Sequence, residues 1–207
     1  GTSTLLQAAQ LTDGKLALPT GAISDDSDIH FRSAECDIAR HWHPIANLYE
    51  LVDLFSYYKV NHIMFHMTDH GMFTFRSDLY PQLAEGRRPG PEKHYYTKQE
   101  LKDLVAYADA RGVTIIPEVE MPGHSDAGGI LPDIFGTKDA TTGKYRGGPV
   151  NVLRDDTVQA CTKLLNEVMD VFSSADFVSI GADEVNDGAY TKMSEYDAFK
   201  AKHPGAT

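Results

Sequence analysis

The segment Ser179-Ile-Gly-Ala-Asp-Glu-Val185 sets two adjacent carboxylates, Asp183 and Glu184, after a short apolar run, Phe177 to Ile180. Gly181 and Ala182 are small enough to let the backbone turn closely between run and acids. In a parallel α/β protein the C-terminal end of a strand is where reacting groups collect. Neighbouring carboxylates resist ionising together, so one is expected to stay protonated and act as an acid near neutral pH. The plainer alternative is an N-cap Asp followed by a surface Glu at a helix start. Three other strand candidates end in similar chemistry: Arg40-His-Trp-His43, His66-Met-Thr-Asp-His70 and Glu118-Val-Glu-Met-Pro-Gly-His124. Gathered on one rim, these groups can shift each other's pKa values and hold a sugar or acyl substrate.

The elements that must position them alternate, strand then helix, four times. Strands are expected at 34–39, 62–69, 113–121 and 177–185. Helices are expected at 44–60, 97–111, 156–173 and 191–203. The first helix carries Ile45, Leu48, Leu51, Val52, Phe55 and Tyr58 at helical spacing, with Pro44 suited to its first turn. The second opens on a capping box, Thr97-Lys-Gln-Glu100, and closes at Gly112. The third aligns Val158, Cys161, Leu164, Leu165, Val168 and Phe172 on one face. Repeated βα units imply a parallel sheet with right-handed crossovers. The loops after the second and third strands are long, whereas helix-to-strand links are as short as Val60-Asn61 or Gly112. That asymmetry is the loop economy of a (β/α)8 TIM barrel. A doubly wound sheet is the alternative. A closed barrel needs eight strands and about 250 residues, so only the first four βα units are expected here. Residues 1–30, a helix end at 4–11 and an extended run at 15–29, are expected to be the tail of a preceding small α/β domain and its linker. Residues 31–207 are then the N-terminal half of the barrel.

The chain has 207 residues, 42% hydrophobic and 24% charged, with a net charge of −11. That composition supports one sizeable core. The acidic balance argues against nucleic acid or an anionic membrane as partner. No apolar run approaches the roughly 20 residues of a membrane span. Cys36 and Cys161 form neither a metal spacing nor a disulfide framework, and two buried free thiols are expected.

At the level of motifs, the chain resembles the β-N-acetylhexosaminidases of glycoside hydrolase family 20. Phe31-Arg-Ser-Ala-Glu-Cys-Asp-Ile-Ala-Arg-His-Trp-His-Pro44 is similar to the family's Arg-Gly…Asp…Arg-His…Pro stretch. Lys59-Val-Asn61 with His66-Met-Thr-Asp69 resembles its second strand, and Pro117-Glu-Val-Glu-Met-Pro-Gly-His124 its third. Ile180-Gly-Ala-Asp-Glu-Val185 resembles the catalytic strand. Leu5-Leu-Gln7 and Leu18-Pro-Thr-Gly-Ala-Ile23 resemble the segment that joins the family's small N-terminal domain to the barrel.

The resemblance implies a retaining exo-glycosidase that removes terminal N-acetylhexosamine from glycoconjugates or chito-oligosaccharides. It implies no cofactor, no metal, and secretion or a periplasmic location. Catalysis is substrate-assisted, through an oxazolinium intermediate, an exception to the two-carboxylate scheme. By the match, Glu184 is the acid/base and Asp183 holds the acetamide N–H. Arg32 is expected to bind sugar hydroxyls, with an ion pair to Asp37 or Glu35 as its alternative role. Asp69 and His124 are expected to tune Glu184. Glu120 is a further substrate-binding candidate, and Glu118 is expected to be structural.

Three departures stand out. His70 occupies a usually acidic place, Ser33 follows Arg32 where Gly is usual, and Ser179 and Ala182 replace the commoner His and Gly. The family's tryptophan walls and acetamide-binding tyrosine come from the later half of its barrel, and Trp42 is the one Trp here. A missing barrel half or an oligomeric partner is therefore expected, and the fragment alone is expected to be inactive. Two other readings compete: a metal-dependent TIM-barrel hydrolase using His41 and His43, and a non-catalytic carbohydrate-binding module.

Overall fold

The computed structural model describes residues 1–207 except 71, 86–92, 126, 140, 147, 186 and 206–207. The chain opens with helix α1 (Thr2–Ala8) and a hairpin of β1 (Gln10–Thr12) and β2 (Lys15–Ala17). The first βα unit is β3 (Ser33–Asp37) and α2 (Ile45–Tyr57). The second begins with β4 (His62–His66) and continues through β5 (Thr68–Asp69), β6 (Met72–Phe73) and α3 (Gln82–Glu85) to α4 (Lys98–Asp109). β7 (Thr114–Glu118) starts the third, with α5 (Ala127–Ile130), α6 (Pro132–Phe135), β8 (Thr137–Lys138) and β9 (Tyr145–Arg146) before α7 (Asp155–Met169). α8 (Asp187–Tyr190) and α9 (Tyr196–Lys202) close the chain.

β3, β4 and β7 form a parallel sheet in sequence order. Ile63, Phe65 and Ile115 point to one face and are fully buried. They pack in one core with Leu48 and Val52 of α2 and Leu101, Leu104, Val105 and Ala108 of α4. Each of these Ile, Phe, Leu and Val side chains contributes about 1.5–3 kcal/mol on burial, so the helices are held firmly against the sheet. Alternation along a strand sends the intervening residues to the opposite face. Register then puts Asp37 beside His66 and His66 beside Glu118 at the strands' C-terminal ends. The second helix caps as expected: Thr97 Oγ1 accepts from Glu100 N at 3.2 Å, and Thr97 N donates to Glu100 Oε2 at 2.7 Å. Gly112 follows at φ +70°.

Several expectations shift. The expected first helix end at 4–11 stops at Ala8, and Gln10 and Leu11 instead enter the hairpin. The expected fourth strand is reduced to a parallel bridge between Ser179 and Glu118. Hydrogen bonds from Ser179 N to Pro117 O, Val119 N to Ser179 O and Met121 N to Ile180 O still align it with β7. Strand geometry ends where Gly181 and Ala182 turn to φ +58° and +69°. The expected last helix starts late, at Tyr196, because Met193 is buried and bridges Asp139, which a helical backbone cannot do. Cys161 is buried and Cys36 half-buried; both are free, and burial pushes each thiol up to about 11. Among the described residues no helix is long and apolar enough to cross a membrane.

Candidate active site

In-register parallel strands build the site's floor. Asp37, His66, Glu118 and Ser179 lie in one row across the sheet. His66 Nδ1 meets Glu118 Oε1 at 2.7 Å, and Nε2 meets Asp69 Oδ2 at 3.1 Å. Ser179 Oγ donates to Glu118 Oε2 at 2.6 Å. The Glu118 hydrogen bond, with help from Asp69, overcomes desolvation and raises the His66 pKa to about 9. The same contact lowers Glu118 against the opposing effect of burial. This is a buried ion pair whose remaining lone pairs are engaged.

Above that row, Asp69 Oδ2 is a meeting point. Arg40 Nη2 reaches it at 2.6 Å, while Arg40 Nη1 holds Asp37 at 2.8 Å. His124 Nδ1 faces it at 3.3 Å. Across the ring, His124 Nε2 lies 3.0 Å from Glu184 Oε2 and 3.8 Å from Asp183 Oδ2. A line therefore runs from a buried carboxylate through an imidazole to an exposed one; the Glu184 side chain is 78% exposed and that of Asp183 66%. The same imidazole serves both adjacent acids. His124, Ala182 and Glu184 adopt φ +43°, +69° and +48°, uncommon for side-chain-bearing residues and concentrated here.

Glu120 supports the turn from beneath. It is buried, its Oε2 accepts from Ala182 N at 3.2 Å, and its backbone N donates to Thr68 Oγ1 at 2.7 Å. Desolvation raises its pKa. Gly181 lies over this carboxylate, where an added Cβ would sit 2.0 Å from Glu120 Oε1. A cavity of about 340 Å³ opens between Arg40, His66, Glu118, Glu120, His124 and Asp183.

Asp69, His124, Asp183, Glu184 and Glu120 thus come together; Arg32 does not. It precedes β3, so it sits at the strand's N-terminal end, roughly 17 Å from Asp37 by ordinary β rise. Its guanidinium binds Lys59 O at 2.6 Å, Ile29 O at 2.6 Å and Ser27 Oγ at 3.1 Å. In this structure the Arg32 guanidinium is thus taken up by backbone carbonyls at that end, and among the described residues it pairs with neither Asp37 nor Glu35. Arg40, eight residues on, is the arginine at the cavity. His66 and Arg40 were visible as polar strand ends, but only register reveals their partners. His41 and His43 are exposed and belong to none of the three His and carboxylate groupings close enough to share a cation among the described residues. His70 stands with its ring 5.1 Å from that of His124.

Residues 30–205 match the Glycosyl hydrolase family 20 catalytic domain. The chain belongs to glycoside hydrolase family 20. It is 34% identical over 199 residues to a beta-hexosaminidase of Akkermansia muciniphila, covering 89% of this chain and 40% of that protein. It is 31% identical over 221 residues to a beta-hexosaminidase of Vibrio furnissii, covering 97% of this chain and 36% of that protein. The chain therefore spans about two fifths or less of these family 20 relatives. Among solved structures, the exo beta-N-acetylglucosaminidase of Vibrio harveyi, in complex with N-acetylglucosamine, superposes with a TM-score of 0.81. That match is at 26% identity over 97% of this chain and 35% of the other. The Flavobacterium johnsoniae chitobiase superposes at 0.82 and 28% identity, over 99% of this chain and 31% of the other. The α/β architecture is accordingly that of a TIM-barrel family.

Proposed function

We propose that this chain is the acid-bearing half of a retaining exo-glycosidase that removes terminal N-acetylhexosamine from glycoconjugates or chito-oligosaccharides. The observation that carries the reading is the line Asp69–His124–Glu184: His124 Nε2 meets one carboxyl of the exposed pair at 3.0 Å, while its Nδ1 faces the buried Asp69 carboxylate at 3.3 Å without completing a hydrogen bond. In the first step the Glu184 carboxyl donates its proton to the glycosidic oxygen as the C1–O bond breaks. The substrate's acetamide carbonyl oxygen forms the new bond to C1, giving an oxazolinium ion. Asp183 accepts the acetamide N–H and stabilises the developing positive charge. In the second step the Glu184 carboxylate takes a proton from water as its oxygen attacks C1, and the ring opens with net retention. Arg40 is half exposed at the cavity and is the candidate to bind sugar hydroxyls.

We propose the following domain organisation alongside it. Residues 1–30 are the end of a preceding small domain, and residues 31–207 the first four βα units of a (β/α)8 barrel. The solvent-facing Phe177 and Ile180, 49% and 43% exposed, support a further strand covering this edge. The exposure of Asp183 and Glu184 supports walls supplied from elsewhere in the barrel.

Turnover of an aryl N-acetyl-β-glucosaminide by the full-length protein tests the reading. Hydrolysis is expected, with the matched aryl β-glucoside, lacking the acetamide, left essentially intact. Equal hydrolysis of both would contradict it. A thiazoline mimic of the intermediate should bind far more tightly than the free sugar, because it carries charge that develops at the transition state. Asp183→Asn should weaken that binding.

A further inference from the structure

We infer that His66 is a positioning residue for the acid/base: clamped between Glu118 and Asp69, it fixes the carboxylate that holds His124 and, through it, Glu184. The inference rests on the reading of Glu184 as acid/base and adds a buried group that acts through Asp69 and His124. Asp69 Oδ2 has three side-chain nitrogens around it, from Arg40, His66 and His124. Arg40 is half exposed and long, so it can follow a moving carboxylate. His66 is 4% exposed, and its far nitrogen is anchored 2.7 Å from Glu118, which Ser179 holds in turn. With both nitrogens against carboxylates, the ring must donate from both and cannot rotate without losing one. It therefore ties β5, which bears Asp69, to β7 and to the segment that leads to Glu184.

The groups facing His66 are mostly acidic. Glu35 and Asp37 approach from β3, Asp69 from β5, Glu118 from β7, and Glu120 from the residues just beyond. Arg40 and His124 face it across Asp69. This surrounding keeps the imidazolium charged through neutral pH, with a pKa of about 9. Without the clamp, Asp69 keeps Arg40 and the His70 N–H but loses the one buried restraint on Oδ2, and the contact of that oxygen with His124 Nδ1 is no longer fixed. Proton delivery to the leaving group then suffers more than sugar binding does.

The test uses His66→Gln, which cannot donate to both carboxylates, and Glu118→Gln, which weakens only the far anchor. In the full-length protein, kcat/KM is measured for phenyl and 2,4-dinitrophenyl N-acetyl-β-glucosaminides. The phenyl substrate needs protonation and the dinitrophenyl substrate needs little. For His66→Gln we expect a loss of about 10–100-fold with phenyl, a few-fold loss with dinitrophenyl, and KM nearly unchanged. Glu118→Gln should give the same leaving-group dependence to a smaller degree, and it carries the test if His66→Gln does not fold. Equal losses on both substrates would overturn the inference while leaving the glycosidase reading intact. A second measurement is ¹⁵N-histidine NMR of the wild type, where one ring is expected to stay doubly protonated until about pH 9 and to be missing in His66→Gln. Titration of His66 at the ordinary histidine value of about 6.5 would overturn the clamp. That measurement needs no turnover, so an inert wild type sinks the glycosidase reading while the clamp is still decided.

Discussion

At the scale of residues, the proposed chemistry turns on Glu184. Glu184→Gln keeps shape but removes proton transfer, and kcat should fall by about 10²–10⁴ with the circular dichroism unchanged. Near-normal kcat would remove Glu184 from the acid/base role. The acidic pair and its partners Asp69 and His124 could be read from the sequence, because each follows a β-rich run and carries its chemistry in its residue type. Arg32 and Arg40 could not be told apart that way. They lie in one stretch, have the same chemistry, and bracket the same strand. Which one meets the cavity depends on which end of β3 it occupies, and that follows from register with β4. Glu118 is a similar case, since its part depends on the imidazole that its neighbour in the sheet presents.

At the scale of elements, local signals predict well where a single interaction decides. The capping box at Thr97 does so, and Thr97→Ala should lower stability by about 1 kcal/mol, measured as a reduced urea midpoint at constant m-value. The Asp13-Gly14 pair, at φ +50° and +73°, joins the β1–β2 hairpin through the kind of two-residue turn such dipeptides favour. That signal was present in the sequence, but the flanking strands are too short for alternation to reveal them. Periodicity fails where tertiary contacts prevail, as at Met193, whose bridge to Asp139 interrupts an otherwise helical pattern. The segment after Ser179 fails for another reason: its composition is strand-like, yet positive φ angles from Gly181 onward serve the site. Gly181→Ala meets both a left-handed backbone and the Glu120 carboxylate. It should displace Glu120 from Ala182 N, destabilise the protein by more than the roughly 1 kcal/mol of an ordinary backbone effect, and reduce turnover. A variant of wild-type stability and rate would show that the turn tolerates the side chain.

At the scale of the whole molecule, the buried His66–Glu118 pair links protonation to folding. The His66 pKa is raised from 6.5 to about 9, so its contribution is fully present below about pH 6.5 and is lost as pH rises through 9. Glu118 is lowered from 4.5, so its contribution is present above that value and is lost as the pH falls through its depressed pKa. Stability from this pair should therefore be greatest between about pH 4.5 and 6.5, and urea midpoints should decline from pH 6.5 to 9.5. His66→Gln should flatten that decline; an unchanged slope would assign it elsewhere. The three-stranded sheet leaves β3 at one edge and the Ser179 segment at the other, and exposed edges and apolar side chains promote association. The 207-residue piece alone should be inactive and associate on size-exclusion chromatography; a monodisperse monomer that hydrolyses N-acetylglucosaminides would contradict the half-barrel reading. The central claim is that the substrate's own acetamide attacks C1 while Glu184 supplies the proton. Its most direct test is hydrolysis by the full-length protein of two aryl glycosides with the same leaving group, one bearing 2-acetamido and the other 2-trifluoroacetamido. Fluorine withdraws electron density from the attacking carbonyl oxygen, so kcat/KM should fall steeply for the second substrate. Equal rates for the two, or a glycosyl ester trapped on a carboxylate of the protein, would contradict the account.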